Sequence, residues 1–227
     1  MDTLSVSLPP ASHPCHGVNL PATITPRYAP PLLQRTTNTC SSHRSSGHRV
    51  RLVALVQWSR PAPGWFKLNF DGSVHHDGSG RASIGGVIRD FFGRTILAFG
   101  ERTQHAGVGE VEARALIRGL HLALQSGCHR LVVEGDDLTL VRLLRGESPH
   151  TRICWATYDQ IIQLLCCFQD VEVQHVYREG NQVADALCHE AYRCSNVWTT
   201  EQLVPPAIWA KLQDDRRGVV QPRFRPV

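Results

Sequence analysis

The chain has 227 residues and a mass of 25.3 kDa, with 42% apolar and 19% charged residues, which excludes a wholly disordered chain and fits one domain of ordinary size with extensions. No apolar run approaches the ~18 residues that a bilayer-spanning helix needs. The formal charge of +4 divides unevenly: residues 1–63 hold six Arg and one acid (+5), residues 216–227 four Arg and no acid (+4), and residues 64–215 hold 14 basic and 19 acidic residues (−5), so the central part lacks a basic footprint for nucleic acid and would meet a polyanion through divalent cations instead.

Residues 1–63 carry nine of the 14 prolines and many Ser and Thr, with no helix or strand period, and are expected to be a disordered tail. Their Arg, Ser and Thr with almost no acid also suit a transit peptide. That composition points to a chloroplast or mitochondrion, against nucleus or cytoplasm if the segment is only an extension.

From Trp65 the text changes. Trp65–Phe70 alternates large apolar with polar residues and is expected to end as a strand in an Asp71-Gly72 turn; 82–90 and 94–100 read as two more strands around a tight turn at Gly93. Residues 110–126 place Val111, Ala115, Leu116, Leu120, Ala123 and Leu124 on one helical face, with Gly127 as the stop. Residues 130–134 read as a fourth strand and 138–144 as a helix. After a break at Pro149, 155–167 read as a helix, 171–177 as a fifth strand and 181–194 as a helix. The helix between the fourth and fifth strands makes a βαβ unit and so a parallel pairing. The expected architecture is α/β: a five-stranded mixed sheet flanked by helices, over 64–195, with a C-terminal extension at 196–227 that the pattern leaves unplaced.

Eight cysteines without a C-x-x-C pair make a zinc site a poor fit, and the absence of a secretory signal pattern points to reduced thiols buried as small hydrophobes. His75, His76, His121, His129 and His175 read as ordinary surface or partly packed residues, while Arg81, Arg89 and Arg178 are candidates for phosphate contact.

Four acids fall where this sheet would gather them: Asp71 at the end of the first strand, Glu112 in the first turn of the long helix, Asp136 after the fourth strand and Asp185 early in the last helix. Each alone has a structural explanation as a turn, a dipole partner or a cap. Adjacent strands lie only ~4.8 Å apart, so carboxylates ending the first and fourth strands would repel unless a proton or a cation intervened. A hard cation with oxygen ligands answers that repulsion, and two of them ~3.5–4 Å apart would clamp the attacking and leaving oxygens of a phosphodiester.

The blocks FKLNFDGS, GGVIRDFFGR, EARALIRGL, VVEGDD and HVYREGNQVADAL resemble ribonuclease H of type 1, in the plant form related to retroelement (reverse-transcriptase-like) domains, over about residues 64–192. The resemblance implies a ribonuclease H-like fold and a nuclease that hydrolyses the RNA strand of an RNA–DNA hybrid with two Mg²⁺ ions, or Mn²⁺ in their place. It further implies Asp71, Glu112, Asp136 and Asp185 as catalytic metal ligands, Asp71 bridging both ions. Gly72 would let substrate approach the backbone, Arg178 would contact substrate, and Asn181 would either contact nucleic acid or cap the last helix. The implied partner is the hybrid, with no membrane and a monomeric chain. Three positions depart from the pattern: the loop before the last helix is shortened to Arg178-Glu179-Gly180 and lacks the family's histidine, Gly107 replaces a hydroxyl residue of a phosphate pocket, and Asp137 replaces a serine. The alternatives are a nucleic-acid-binding module that has lost turnover, and a DNA-cutting or strand-transferring enzyme on the same fold.

Overall fold

The computed structural model describes residues 50–147 and 153–226. Most of the expected tail, with Cys15 and Cys40, and the Pro149 break lie outside the described residues. A six-stranded mixed sheet forms the centre, in the order β6-β5-β2-β3-β4-β7. Its strands are β2 (Phe66–Val74), β3 (Ala82–Arg89), β4 (Thr95–Thr103), β5 (Arg130–Gly135), β6 (Asp170–His175) and β7 (Asn196–Trp198). The helices are α1 (Val108–Gln125), α2 (Leu138–Leu144), α3 (Trp155–Leu165), α4 (Gln182–Ala191) and α5 (Pro206–Arg217).

β2, β3 and β4 form the expected antiparallel meander, turning at Gly93 with φ +79°. β5 runs parallel to β2 and β6 parallel to β5, with α2 and α3 supplying the crossover. The sixth strand, β7, is three residues long and pairs antiparallel with β4, too short to show a period in the sequence. β2 does not stop at Asp71 as expected: it continues to Val74, with Asp71 opposite Gly85 and Gly72 opposite Ile84 on β3, and the reversal falls after His75 instead.

Alternation sorts the sheet into two layers. Leu68, Phe70, Ile84, Ile88, Leu97 and Phe99 pack in the core that α1, α2 and α3 cover, and the helix face expected from the sequence is there, with Val111, Ala115, Leu116, Leu120 and Ala123 at 0% exposure. On the opposite face Val87 and Ala98 meet Val183 and Leu187 of α4 together with Ile208 and Leu212 of α5. The C-terminal extension therefore packs back on the domain. Residues 50–63 also depart from the expected tail. β1 (Val50–Val56) pairs antiparallel with β8 (Gln221–Pro226), and Val56 and Trp58 are buried at 7% and 3% exposure.

Two glycines let α4 lie directly on the sheet. A Cβ on Gly85 would stand 2.6 Å from the Cys188 amide nitrogen and 2.8 Å from the Ala184 carbonyl, and one on Gly100 would stand 2.5 Å from the Leu187 carbonyl. These neighbours are backbone and cannot swing aside. Gly85→Ala is expected to push α4 off the sheet and lower the unfolding free energy by about 2–3 kcal/mol, read as a lower midpoint in a urea titration.

Candidate active site

Two of the acids meet because β2 and β5 run side by side in parallel. The β2–β5 ladder pairs Asn69 with Glu134, and two residues further along each parallel strand stand Asp71 and Asp136, on one face by the period of two. α1 crosses β2 at this height: the space a Cβ on Gly72 would fill is taken by the Glu112 amide nitrogen at 2.6 Å and the Val111 carbonyl carbon at 2.7 Å. Gly72 thus admits the helix, and its own backbone hydrogen-bonds to Glu112. Because α1 begins at Val108, Glu112 lies in the second turn instead of the first, and the helix dipole does not account for it.

One carboxylate oxygen from each of Asp71, Glu112 and Asp136 lies within 4.8 Å of the others. Asp71 and Glu112 are 8% and 5% exposed. Burial, and then the charges of Asp136 and Asp185, push the Asp71 carboxyl from its ordinary 3.8 up to about 6. Burial and the neighbouring acids push Glu112 well above the usual carboxylate range, and burial raises Asp136 as well. Glu112 also holds a buried oxygen, Oε2, without a hydrogen-bond partner. A buried acceptor without a donor, among like charges, is the environment that a hard cation with oxygen ligands satisfies, so the residues present fit a divalent cation of that kind. Asp185 stands outside the tight group, near enough for its charge to act on Asp71. Its Oδ1 accepts a hydrogen bond from Arg178 Nη2 at 3.1 Å, and His189 lies 3.8 Å from its Oδ2.

Asn181 stands at the N-cap position of α4, its carbonyl accepting from the Asp185 amide at 3.2 Å, but its side chain is 2% exposed and makes no capping bond to the helix. Its Nδ2 donates to the Phe70 carbonyl at 2.9 Å and to Asp136 Oδ1 at 3.4 Å, so it holds a carboxylate in place. Cys188 donates its thiol to the Asp71 carbonyl at 3.0 Å. His175, read as ordinary, is half-buried and hydrogen-bonds to the main chain of Asp136, a contact that only the strand register could have revealed.

The arginines separate. Arg178 is exposed beside Asp185, on a single 3₁₀ turn at Arg178–Gly180. Arg81 is exposed and ion-paired with Asp77 at 2.9 Å. Arg89, a candidate for phosphate contact, is corrected: it is 1% exposed and paired with Asp215 of α5 at 2.6 Å. The thiols are corrected too, since among the described cysteines Cys128 and Cys188 are buried while Cys154, Cys166, Cys167 and Cys194 are exposed.

Of the departures from the family pattern, Gly107 precedes α1 without a side-chain cap and with nothing within 4 Å of where its Cβ would be. Asp137 turns from the acids to cap α2, its Oδ1 accepting from the amides of Thr139 at 2.7 Å and Leu140 at 3.1 Å. Asp137→Ala is expected to lower stability by about 1 kcal/mol through the lost cap. Divalent-cation affinity, measured by titration calorimetry, should stay within about two-fold of the parent chain, because Asp137 is not among the three acids whose oxygens converge.

The profile of the Reverse transcriptase-like family matches residues 69–191. An Arabidopsis thaliana protein named "Putative ribonuclease H protein" is 30% identical over 178 residues, 76% of this chain, and the chain spans 28% of that relative's length. Among solved structures, RNase H1 from the halophilic archaeon Halobacterium salinarum superposes with a TM-score of 0.53 at 27% identity, covering 56% of this chain and 97% of that one. LC11-RNase H1, solved in complex with an RNA/DNA hybrid, gives a TM-score of 0.51 at 25% identity, covering 56% of this chain and 95% of that one. On these likenesses the chain belongs to the Reverse transcriptase-like family, its domain built on the ribonuclease H fold.

Proposed function

We propose that the chain is a divalent-cation-dependent nuclease that hydrolyses the RNA strand of RNA–DNA hybrids, leaving 5′-phosphate and 3′-hydroxyl ends. The observation that carries this reading is the group of three carboxylates within 4.8 Å, two of them buried and both held toward protonation by burial and mutual charge. The Halobacterium and LC11 ribonucleases H, and the hybrid bound to the latter, support the choice of substrate.

Asp71, Glu112 and Asp136 would hold the cation, Mg²⁺ first and Mn²⁺ as the alternative, with Asp185 extending the ligand set toward a second ion. Bound there, the ions would supply the positive charge that a phosphodiester needs while water attacks and the 3′-oxygen departs. The chain's own residues do the rest. Gly72 and Asn181 fix the Glu112 and Asp136 carboxylates, so that their orientation is set before substrate arrives. Arg178, exposed at the rim and hydrogen-bonded to Asp185, offers a guanidinium that can fork onto a phosphate. A guanidinium keeps its charge and cannot shuttle protons as a histidine does. The 2′-hydroxyl is the group by which the RNA strand is told from DNA.

The test uses the full chain with end-labelled RNA–DNA hybrid, RNA duplex, DNA duplex and single-stranded RNA, each with Mg²⁺ or with EDTA. The expected result is cleavage of the RNA strand of the hybrid alone, and only with the cation. Hybrid binding without any cation-dependent cleavage would leave a binding module in place of a nuclease.

A further inference from the structure

The sheet face that carries the acids continues inward as a buried polar layer. β2 places Lys67, Asn69 and Asp71 on it in alternation, and β5 places Glu134, with Asp136 just past its end. Lys67, Asn69, Glu134 and Arg89 are 2%, 1%, 6% and 1% exposed. Glu134 accepts from Lys67 Nζ at 2.9 Å through one oxygen and from Asn69 Nδ2 at 2.8 Å through the other. Asn69 Oδ1 in turn accepts from Trp58 Nε1 at 3.0 Å and from Arg89 Nη2 at 2.6 Å. Arg89 stacks 3.6 Å from the centroid of the Trp58 ring and donates its other terminal nitrogen to Asp215.

Burying this many charges is an expensive way to build a core, because well-packed apolar residues of similar volume are often as stable or more so. What the layer does supply is direction. With its oxygen filled by two donors, the Asn69 amide must turn its nitrogen toward Glu134 and toward Asn181 Oδ1, 3.4 Å away. Asn181 is then fixed as well: its oxygen faces Asn69 and its nitrogen faces the Phe70 carbonyl and Asp136. A flipped Asn181 would set its oxygen against a carbonyl and a carboxylate.

We propose that Asn69, clamped by Trp58 and Arg89, is a positioning residue: it sets the amide of Asn181 and through it the direction of Asp136. The proposal rests on the hydrolytic reading above. It extends the working unit beyond the family-matched 69–191, to Trp58 on one side and to Asp215 in α5 on the other.

The test compares three variants of the full chain. Trp58→Phe removes the indole N–H and keeps a ring beneath Arg89, Asp215→Asn keeps the shape and removes the charge, and Ile208→Val is a packing control in the α5 contact. Three quantities are measured: the Asn181 side-chain amide signals in ¹H–¹⁵N spectra without cation, identified by their loss in Asn181→Ala; Mn²⁺ affinity by calorimetry; and kcat and KM on the hybrid. Trp58→Phe and Asp215→Asn should shift the Asn181 amide signals and speed their exchange with solvent. In both, Mn²⁺ binding should weaken several-fold, and kcat should fall about ten-fold with KM within about two-fold, as expected for a misaimed group. Ile208→Val should lower the melting temperature and leave all three quantities unchanged. The proposal is overturned if the Asn181 signals and Mn²⁺ affinity of Trp58→Phe and Asp215→Asn match the parent, or if Ile208→Val moves them equally. A parent chain that cuts no hybrid overturns the hydrolytic reading instead, while the amide and Mn²⁺ readouts still decide the positioning.

Discussion

Asp71→Asn is expected to lower cation-dependent cleavage of the hybrid by at least about 10³-fold in kcat, the scale on which removing one preorganised charged group from a reacting centre is felt. Asp71 sits on β2, between parallel β5 and antiparallel β3, with Glu112 of α1 and Asp136, just past the end of β5, each contributing an oxygen within 4.8 Å of its own. The substitution keeps size and shape and removes the charge. The thiol of Cys188 bonds to the main-chain carbonyl of Asp71, a contact the substitution leaves in place. Single-turnover cleavage at saturating Mg²⁺ separates the effect from weaker ion binding, and a circular-dichroism melt checks the fold. A variant that still cuts within ten-fold of the parent chain would remove Asp71 from the centre of the site. Asp185→Asn should act in the same direction and more weakly, because Asp185 stands outside the tight group and is engaged by Arg178.

The acids were legible because each stands at a place that local pattern fixes. Asp71 and Asp136 follow apolar alternations that read as strands, and the βαβ rule makes the strand after Asp136 parallel. Once β5 pairs with β2, the common offset of 65 between Asn69 and Glu134 is also the offset between Asp71 and Asp136. Glu112 belongs to the helix face that covers β2.

What was not legible depends on partners far away in the chain. Trp58 lies among Pro61, Pro63 and polar residues, where a single buried ring leaves no period, and its role comes from Asn69 and Arg89. β1 has little to mark it until β8, at the other end of the chain, supplies its partner edge. Arg89 looked free for phosphate because arginines are mostly exposed, and it is Asp215, 126 positions on, that gives it a reason to be buried. Asn181 matched a helix start, yet its amide is spent on a carbonyl and a carboxylate of two different strands. Side-chain hydrogen bonds between distant segments leave no mark on periodicity, and the supporting layer of the site is made of them.

The cation-free chain is expected to lose stability as pH rises, opposite to the usual acid denaturation. Folding raises the Asp71 carboxyl from its ordinary 3.8 to about 6, and raises Glu112 further above its own ordinary range. The folded state therefore holds protons that the unfolded state releases. Their stabilising contribution is complete below about pH 4 and is lost as pH climbs through about 6 and beyond. For Asp71 alone the rise from 3.8 to about 6 corresponds to about 3 kcal/mol at most. Glu112→Gln removes one charge from the cluster and makes its neighbour easier to bury ionised, so the EDTA-treated variant should melt higher than the parent at pH 7.5 and show a flatter pH dependence. Mg²⁺ should act on the parent in the same direction, because a cation held by the folded acids and not by the unfolded chain stabilises by about 2.7 kcal/mol at a hundred times its dissociation constant. The gain should shrink toward pH 4.5, where protons occupy the ligands. Melting curves at pH 4.5, 6 and 7.5, with EDTA and with Mg²⁺, read all three effects. Equal melting temperatures for parent and Glu112→Gln at pH 7.5 in EDTA, with no Mg²⁺ response in the parent, would mean that these carboxylates neither repel one another nor share an ion.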